Sequence, residues 1–148
     1  LLARPDWVKT AYARGTPMGG DLPKRPAGAG APRFLLWAAQ DPDGNRLERL
    51  QIVKVWLDGA AAREKVFDVQ VAPANSAGTV LGVAEFAAVW TDPAFVASQA
   101  AVYYVRVLQV PTLRWSTLLA ARLGLPAPQN VPATIRERAW SSPVWYVP

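Results

Sequence analysis

A chain of 148 residues, 51% hydrophobic and 18% charged, is long enough to bury one core and holds no apolar run of the length a membrane-crossing helix needs. It has no cysteine and no histidine, which excludes disulfides and thiolate chemistry and removes the commonest metal ligand and general base together. The net charge of +5 is scattered along the chain, with no dense basic run and no aromatic-studded RNA-binding signature, so a solvated basic surface is expected and neither nucleic acid nor membrane as a partner.

Leu1 stands where a Met would start a gene product, and no signal-peptide pattern opens the chain. The sequence therefore reads as part of a longer protein, with its compartment left open and a periplasmic or secreted parent compatible. Arg4 to Gly15 predicts a short helix, Pro5 suiting its first turn and Gly15 its end. Trp7, Val8, Ala11 and Tyr12 share one face, expected to dock on a neighbouring surface because so short a helix is marginal alone. The turn Thr16-Pro-Met-Gly-Gly-Asp-Leu22 and a loop rich in Pro, Ala and Gly complete a lead-in over residues 1–33.

From Phe34 the period becomes that of strands. Phe34 to Ala39 is an apolar run ended by Asp41-Pro-Asp-Gly-Asn45, the chemistry of a tight reversal. Leu50 to Leu57 and the alternating Lys65 to Val71 predict a hairpin across Asp58-Gly59 with a slightly long connection. Thr79 to Trp90 supplies one or two strands with Phe86, Ala88 and Trp90 on a common face. Asp92-Pro93 reads as an N-cap and first-turn proline for one or two helical turns up to about Gln99.

Ala101 to Val110 is apolar on both alternating faces, interrupted only by Arg106 and Gln109, and so predicts an interior strand that Pro111 ends. A buried Arg106 would need a partner, for which Glu85 and Glu137 are natural candidates. Ser116 is suited to cap a short helix over Thr117 to Leu123, stopped by Gly124 and Pro126. Ala139 to Pro148 closes the chain as the expected partner of the central strand.

Five to seven short strands, with turn signals between them and no regular helix-strand alternation, predict a mainly β chain. The expected architecture is an antiparallel, immunoglobulin-like β-sandwich over 34–148 with short peripheral helices. Seven tryptophans invite a sugar-stacking platform, although core and rim positions account for most of them.

Four segments in fixed order carry a resemblance. They are Pro17-Met-Gly-Gly-Asp-Leu22, Leu50-Gln-Ile-Val-Lys-Val-Trp-Leu-Asp-Gly59, Tyr103-Tyr-Val-Arg-Val-Leu-Gln-Val-Pro-Thr-Leu-Arg-Trp115 and Glu137-Arg-Ala-Trp-Ser-Ser-Pro-Val-Trp-Tyr146. Together they resemble the C-terminal part of a bacterial domain-of-unknown-function family whose members look like metal-dependent hydrolases of the PHP (polymerase and histidinol phosphatase) type. The departures are Thr16 where that family tends to valine, Val55 where it tends to glycine and Leu113 where it tends to proline.

The resemblance implies an accessory region, non-catalytic on its own, of a phosphoesterase-like hydrolase whose divalent metals sit in an upstream barrel of the same protein. It brings no metal ligand and no catalytic residue to this chain, and no cofactor is expected here. Arg114, Trp115 and Arg138 are the candidates for contact with an anionic substrate. Asp21 and Glu137 are the candidates for support behind the metals. For Asp21 a glycine turn capped by its own carboxylate is the competing reading, and for Glu137-Arg138 a salt bridge at the entry to a strand. The alternative for the whole chain is an independent carbohydrate- or protein-binding β-sandwich module.

Overall fold

The computed structural model describes residues 2–148 and is mainly β, with antiparallel ladders and two short helices. Its centre is β5 (Ala101–Gln109), which has neighbours on both sides as its two apolar faces demand. On one side it pairs with β2 (Leu47–Asp58), and β2 pairs in turn with β3 (Ala61–Val71) at the edge. On the other side the closing segment supplies β8 (Arg138–Trp140) and β9 (Val144–Tyr146), each three residues long, against opposite ends of β5. The ladder crosses the break between them through Ser141, whose N–H donates to the Val105 carbonyl and whose Oγ accepts the Val105 N–H at 2.9 Å.

A separate two-stranded ladder joins β1 (Arg33–Ala39) to β4 (Glu85–Thr91). Phe86, Ala88 and Trp90 share its inner face, as their spacing predicts, together with Phe34, Leu36 and Ala38. These side chains pack against Leu50, Ile52 and Tyr103 of the five-stranded sheet, forming one core. Phe34 lies 4.7 Å from Tyr103, and Trp90 lies 5.1 Å from Phe67, between ring centroids, with tilted planes of the kind aromatic pairs prefer. Full burial of Leu50 or Ile52 stabilises the fold by about 1.5–3 kcal/mol each.

Several local expectations are corrected. The Asp41–Asn45 turn does not fold β1 back on β2. It carries the chain from one ladder to the other, and β1 finds its partner in β4. The β2–β3 hairpin is tighter than its sequence suggests, because Asp58 already pairs with Ala61 across Gly59-Ala60. Gly59 (φ 61°) occupies the first central position, which a two-residue hairpin turn can reserve for glycine. Residues 93–99 form turns instead of a helix. The Asp92 carboxylate does accept the Ala94 N–H at 2.8 Å, but it is committed elsewhere, as described below.

Helix α1 (Trp7–Arg14) half-buries Trp7, Thr10 and Ala11, the Trp7 ring lying 6.4 Å from Trp37 of β1, while Val8 and Tyr12 face solvent. Helix α2 (Trp115–Arg122) begins one residue before the expected cap, so Arg114 is its N-cap, in extended backbone and without a side-chain cap bond. Two-residue strands β6 (Thr112–Leu113) and β7 (Thr134–Ile135) pair beside it. Among the described residues no helix is long and apolar enough to cross a membrane.

Two irregularities set the phase of β2. Against β5, Leu47 pairs with Gln109 and Arg49 with Leu108, so Glu48 is an extra residue. Against β3, Leu50 pairs with Gln70 and Gln51 with Asp68, which leaves Val69 extra on that side. The result places Ile52, Lys54 and Trp56 toward the core and Gln51, Val53 and Val55 on the other face.

Candidate functional site

Two polar arrangements stand out, one buried and one open. The buried one is built on Lys54, which the alternation of β2 drives into the core side of the sheet. Its Nζ lies 2.5 Å from Asp92 Oδ2 and donates to the Ala94 carbonyl at 2.7 Å. Tyr103 Oη donates to the same Asp92 oxygen at 2.8 Å. All three side chains are enclosed, with Lys54, Asp92 and Tyr103 only 2%, 3% and 1% exposed. Burial, with the adjacent Asp92 carboxylate accepting its hydrogen bond, pushes the Tyr103 phenol well above its usual range. Trp56 and Tyr103 also present their rings to the ammonium at 5.5 and 5.8 Å. With two ammonium N–H groups on oxygen, both carboxylate oxygens accepting and the phenol donating, this cluster is a structural tie between β2, β5 and the end of β4.

The open arrangement is the β8–β9 side of the outer face of the five-stranded sheet; toward β2 the same face closes over Gln51, Val53 and Leu108, which are buried. Register places Arg138 and Trp140 of β8 beside Leu108 and Arg106, and Trp145 of β9 beside Val102. Tyr104 lies between them on β5, opposite the fully buried Val53 of β2. Arg106 Nε donates to Gln51 Oε1 at 2.8 Å, and Gln51 Nε2 donates to Asp68 Oδ1 at 2.6 Å. Asp68 Oδ2 accepts from Arg49 Nη1 at 2.9 Å, completing a row of bonds across three strands. Arg106 therefore pairs with neither Glu85 nor Glu137; the amide one strand away on the same face is closer than either carboxylate. Glu48, turned inward by the bulge, sits between Arg49 Nε (3.3 Å) and Arg136 Nη2 (2.9 Å). The second contact brings the charges together without the alignment of a hydrogen bond.

The residues singled out in the sequence do not converge on one point. Arg114 directs Nε to the Pro132 carbonyl at 3.0 Å, tying the start of α2 to the loop before β7, and the Trp115 ring beside it is 74% exposed. Arg138 is exposed on β8, and the neighbouring Glu137 carbonyl accepts the Gln109 N–H, while its side chain is in solvent. Asp21 is exposed and bridges in parallel to Trp145. Arg138 pairs six residues along β5 from the Trp145 pair, which separates the two ends by roughly 20 Å at the rise of a strand. Among the described residues no three acidic side chains gather to hold a metal. The clefts are shallow; the one along Leu22, Pro26, Pro32 and Tyr146 has a volume of about 260 Å³.

With this geometry in place, comparison with known families has one positive result. The profile described as Protein of unknown function (DUF3604) matches residues 1–148. The chain belongs to the DUF3604 family. No curated protein and no solved structure matches it. What sequence reasoning missed in this DUF3604 chain is the pairing of Lys54 with Asp92 and the alignment of Trp140, Tyr104 and Trp145. The first had a signal, a lysine within an apolar run; the second becomes visible only once the registers of β8 and β9 are known.

Proposed function

We propose that this chain is the C-terminal accessory β-sandwich of a PHP-like, metal-dependent hydrolase, acting as a scaffold with no catalysis of its own. In this reading the β1–β4 ladder and the five-stranded sheet are the two layers of an immunoglobulin-like sandwich, and the shared aromatic core supports it.

One observation carries the proposal. The four family-like segments, far apart in sequence, become neighbours around β5 and β9. Leu50–Gly59 and Glu137–Tyr146 flank Tyr103–Trp115, and Gly19–Leu22 lies along β9. Gly19 N–H donates to the Pro143 carbonyl at 2.8 Å, Leu22 N–H to the Trp145 carbonyl at 2.8 Å, and Trp145 N–H to the Gly20 carbonyl at 3.1 Å. The motifs that carry the resemblance thus make framework and leave no gathered set of acid, base and nucleophile. The divalent ions and the reaction then belong to an upstream barrel, and the exposed surface around Trp37 and Tyr12 is where that barrel docks.

The test is metal analysis and phosphoester turnover on this chain and on the longer parent protein. The expected outcome is turnover and stoichiometric metal in the parent alone. Stoichiometric metal with turnover in the 148-residue chain overturns the proposal.

A further inference from the structure

We propose that the outer face of the five-stranded sheet binds an acidic polysaccharide, with Trp140, Tyr104 and Trp145 stacking on sugar rings and Arg106 and Arg138 taking the acid groups. The inference rests on the geometry of this face and is independent of the hydrolase reading. Trp140 pairs with Arg106 and Trp145 with Val102, and Tyr104 occupies the position midway between them on β5. At the rise of a strand, that makes a line of aromatic positions about 13 Å long. Trp140 is 57% and Trp145 46% exposed, so much of each indole is open to water. The segment Gly20–Leu22 does not cover them, since it engages the backbone of Trp145 at the sheet edge. The aromatics stand on paired strands, which fix their spacing better than loops would.

Charge selects an acidic ligand. Arg106 is held in place by its Nε bond to Gln51, and among the described residues its two terminal amino groups have no protein partner. Arg138 stands on the same face two residues from Trp140 and is exposed. Asp68, at the far end of the hydrogen-bonded row that holds Arg106, is already neutralised by Arg49 and bound by Gln51. A guanidinium with a free fork suits a carboxylate or a sulfate. Single-stranded nucleic acid also stacks on aromatics, but it carries a phosphate at every base and calls for a cation at each step. Here the two free arginines lie at one end of the line, which fits a chain with intermittent charge.

The experiment is affinity electrophoresis of the 148-residue chain through gels containing polygalacturonate, a sulfated galactan, a neutral β-glucan or poly(dT). Retardation by polygalacturonate or by the sulfated galactan is expected, and which of them retards identifies the acid group; the neutral glucan should bind at least about tenfold more weakly. Trp140→Ala and Trp145→Ala should each weaken binding by roughly tenfold, a typical loss for removing a stacking platform. Arg106→Gln should weaken it and flatten its salt dependence, while Leu125→Ala, an exposed apolar residue off this face, should leave it unchanged. Circular dichroism confirms that each variant is folded, and because both tryptophans are about half exposed their truncation leaves the core intact. The proposal is overturned if neither acidic polymer retards the chain, if poly(dT) binds more tightly, or if binding ignores both tryptophan substitutions. A concentration-dependent dimer abolished by Trp140→Ala would overturn it as well, by assigning the face to a second copy.

Discussion

Lys54 and Asp92 form a fully enclosed ion pair, 2.5 Å between Nζ and Oδ2, that connects the middle of the five-stranded sheet to the last turn of the smaller ladder. Burying two charges is costly, and the cost is offset by further bonds to each: the ammonium to the Ala94 carbonyl, and the carboxylate from the Ala94 N–H and the Tyr103 hydroxyl.

Removing one charge should therefore be worse than removing both. Asp92→Asn leaves an uncompensated buried ammonium and should destabilise the chain by about 3–5 kcal/mol in urea unfolding. The double variant Lys54→Met, Asp92→Asn should recover part of that loss. Equal stabilities for the single and double variants would mean that the ammonium is not the source of the cost.

Tyr103 gives the pair a pH dependence at the alkaline end. Its phenol is held protonated in the folded chain, so its contribution is complete below the ordinary tyrosine value, about 10. Above that, the unfolded chain loses this proton while the folded chain keeps it. The unfolded state then binds fewer protons, and stability falls as pH rises. Tyr103→Phe should cost about 1–2 kcal/mol at pH 7, through the missing donor to Asp92. It should also unfold with a shallower alkaline slope than the parent between pH 10 and pH 11. Parallel stability curves across that interval would refute the assignment.

Two glycines separate backbone strain from crowding. Gly59 and Gly82 both have positive φ, 61° and 70°. A Cβ on Gly59 meets open space, so Gly59→Ala should lose only the roughly 1–2 kcal/mol of a left-handed residue. A Cβ on Gly82 would fall 2.5 Å from Arg46 Cβ and 2.7 Å from Val110 Cγ2, where Val83 and Leu47 exchange backbone bonds. Gly82→Ala should cost clearly more than Gly59→Ala in thermal unfolding. Similar costs would show that this contact relaxes freely.

Deleting residues 1–22 removes three backbone hydrogen bonds to Pro143 and Trp145 and should cost on the order of 3 kcal/mol. It also bares β9 as an edge, so association should rise with concentration in sedimentation runs. Unchanged stability and a strict monomer would show that this contact adds little.

What could be read in advance followed from local pattern. Ala101–Gln109 is interior because both of its faces are apolar, and β2–β3 is a hairpin because Asp58-Gly59 separates two alternating runs. Pairing over long separations was not readable: nothing in Phe34–Ala39 states that its partner lies near residue 88. Asp92-Pro93 misled because the Asp-Pro pattern that caps helices is here satisfied by a turn, with the second carboxylate oxygen given to Lys54. Of the candidate site, Arg138 was legible as an exposed arginine. Its company, Arg106 and Trp140, depends on ladder register, and the bulge at Glu48 that sets the phase of β2 against β5 leaves no mark in the alternation.

That bulge governs which changes of chain length the fold tolerates. A residue added within the Gly59-Ala60 turn lengthens a solvent loop and leaves every strand residue facing as before. Deleting Glu48, the extra residue, leaves Leu47 opposite Gln109 and Arg49 opposite Leu108 in an unbroken ladder, so the faces of β2 are kept and only the Glu48 contacts with Arg49, Arg136 and the Ala72 N–H are lost. Deleting Ile52, within the regular ladder, leaves no extra residue to absorb the change, and two-residue periodicity makes the one-step slip a half rotation. If the slip ran toward the hairpin, Lys54 would point outward and Val53 inward, stranding the Asp92 carboxylate inside. If it ran the other way, Leu47 and its exchange with Val83 would be lost. Length variation in this sheet is therefore tolerated at its turns and at the bulge, and not within the regular part of the ladder.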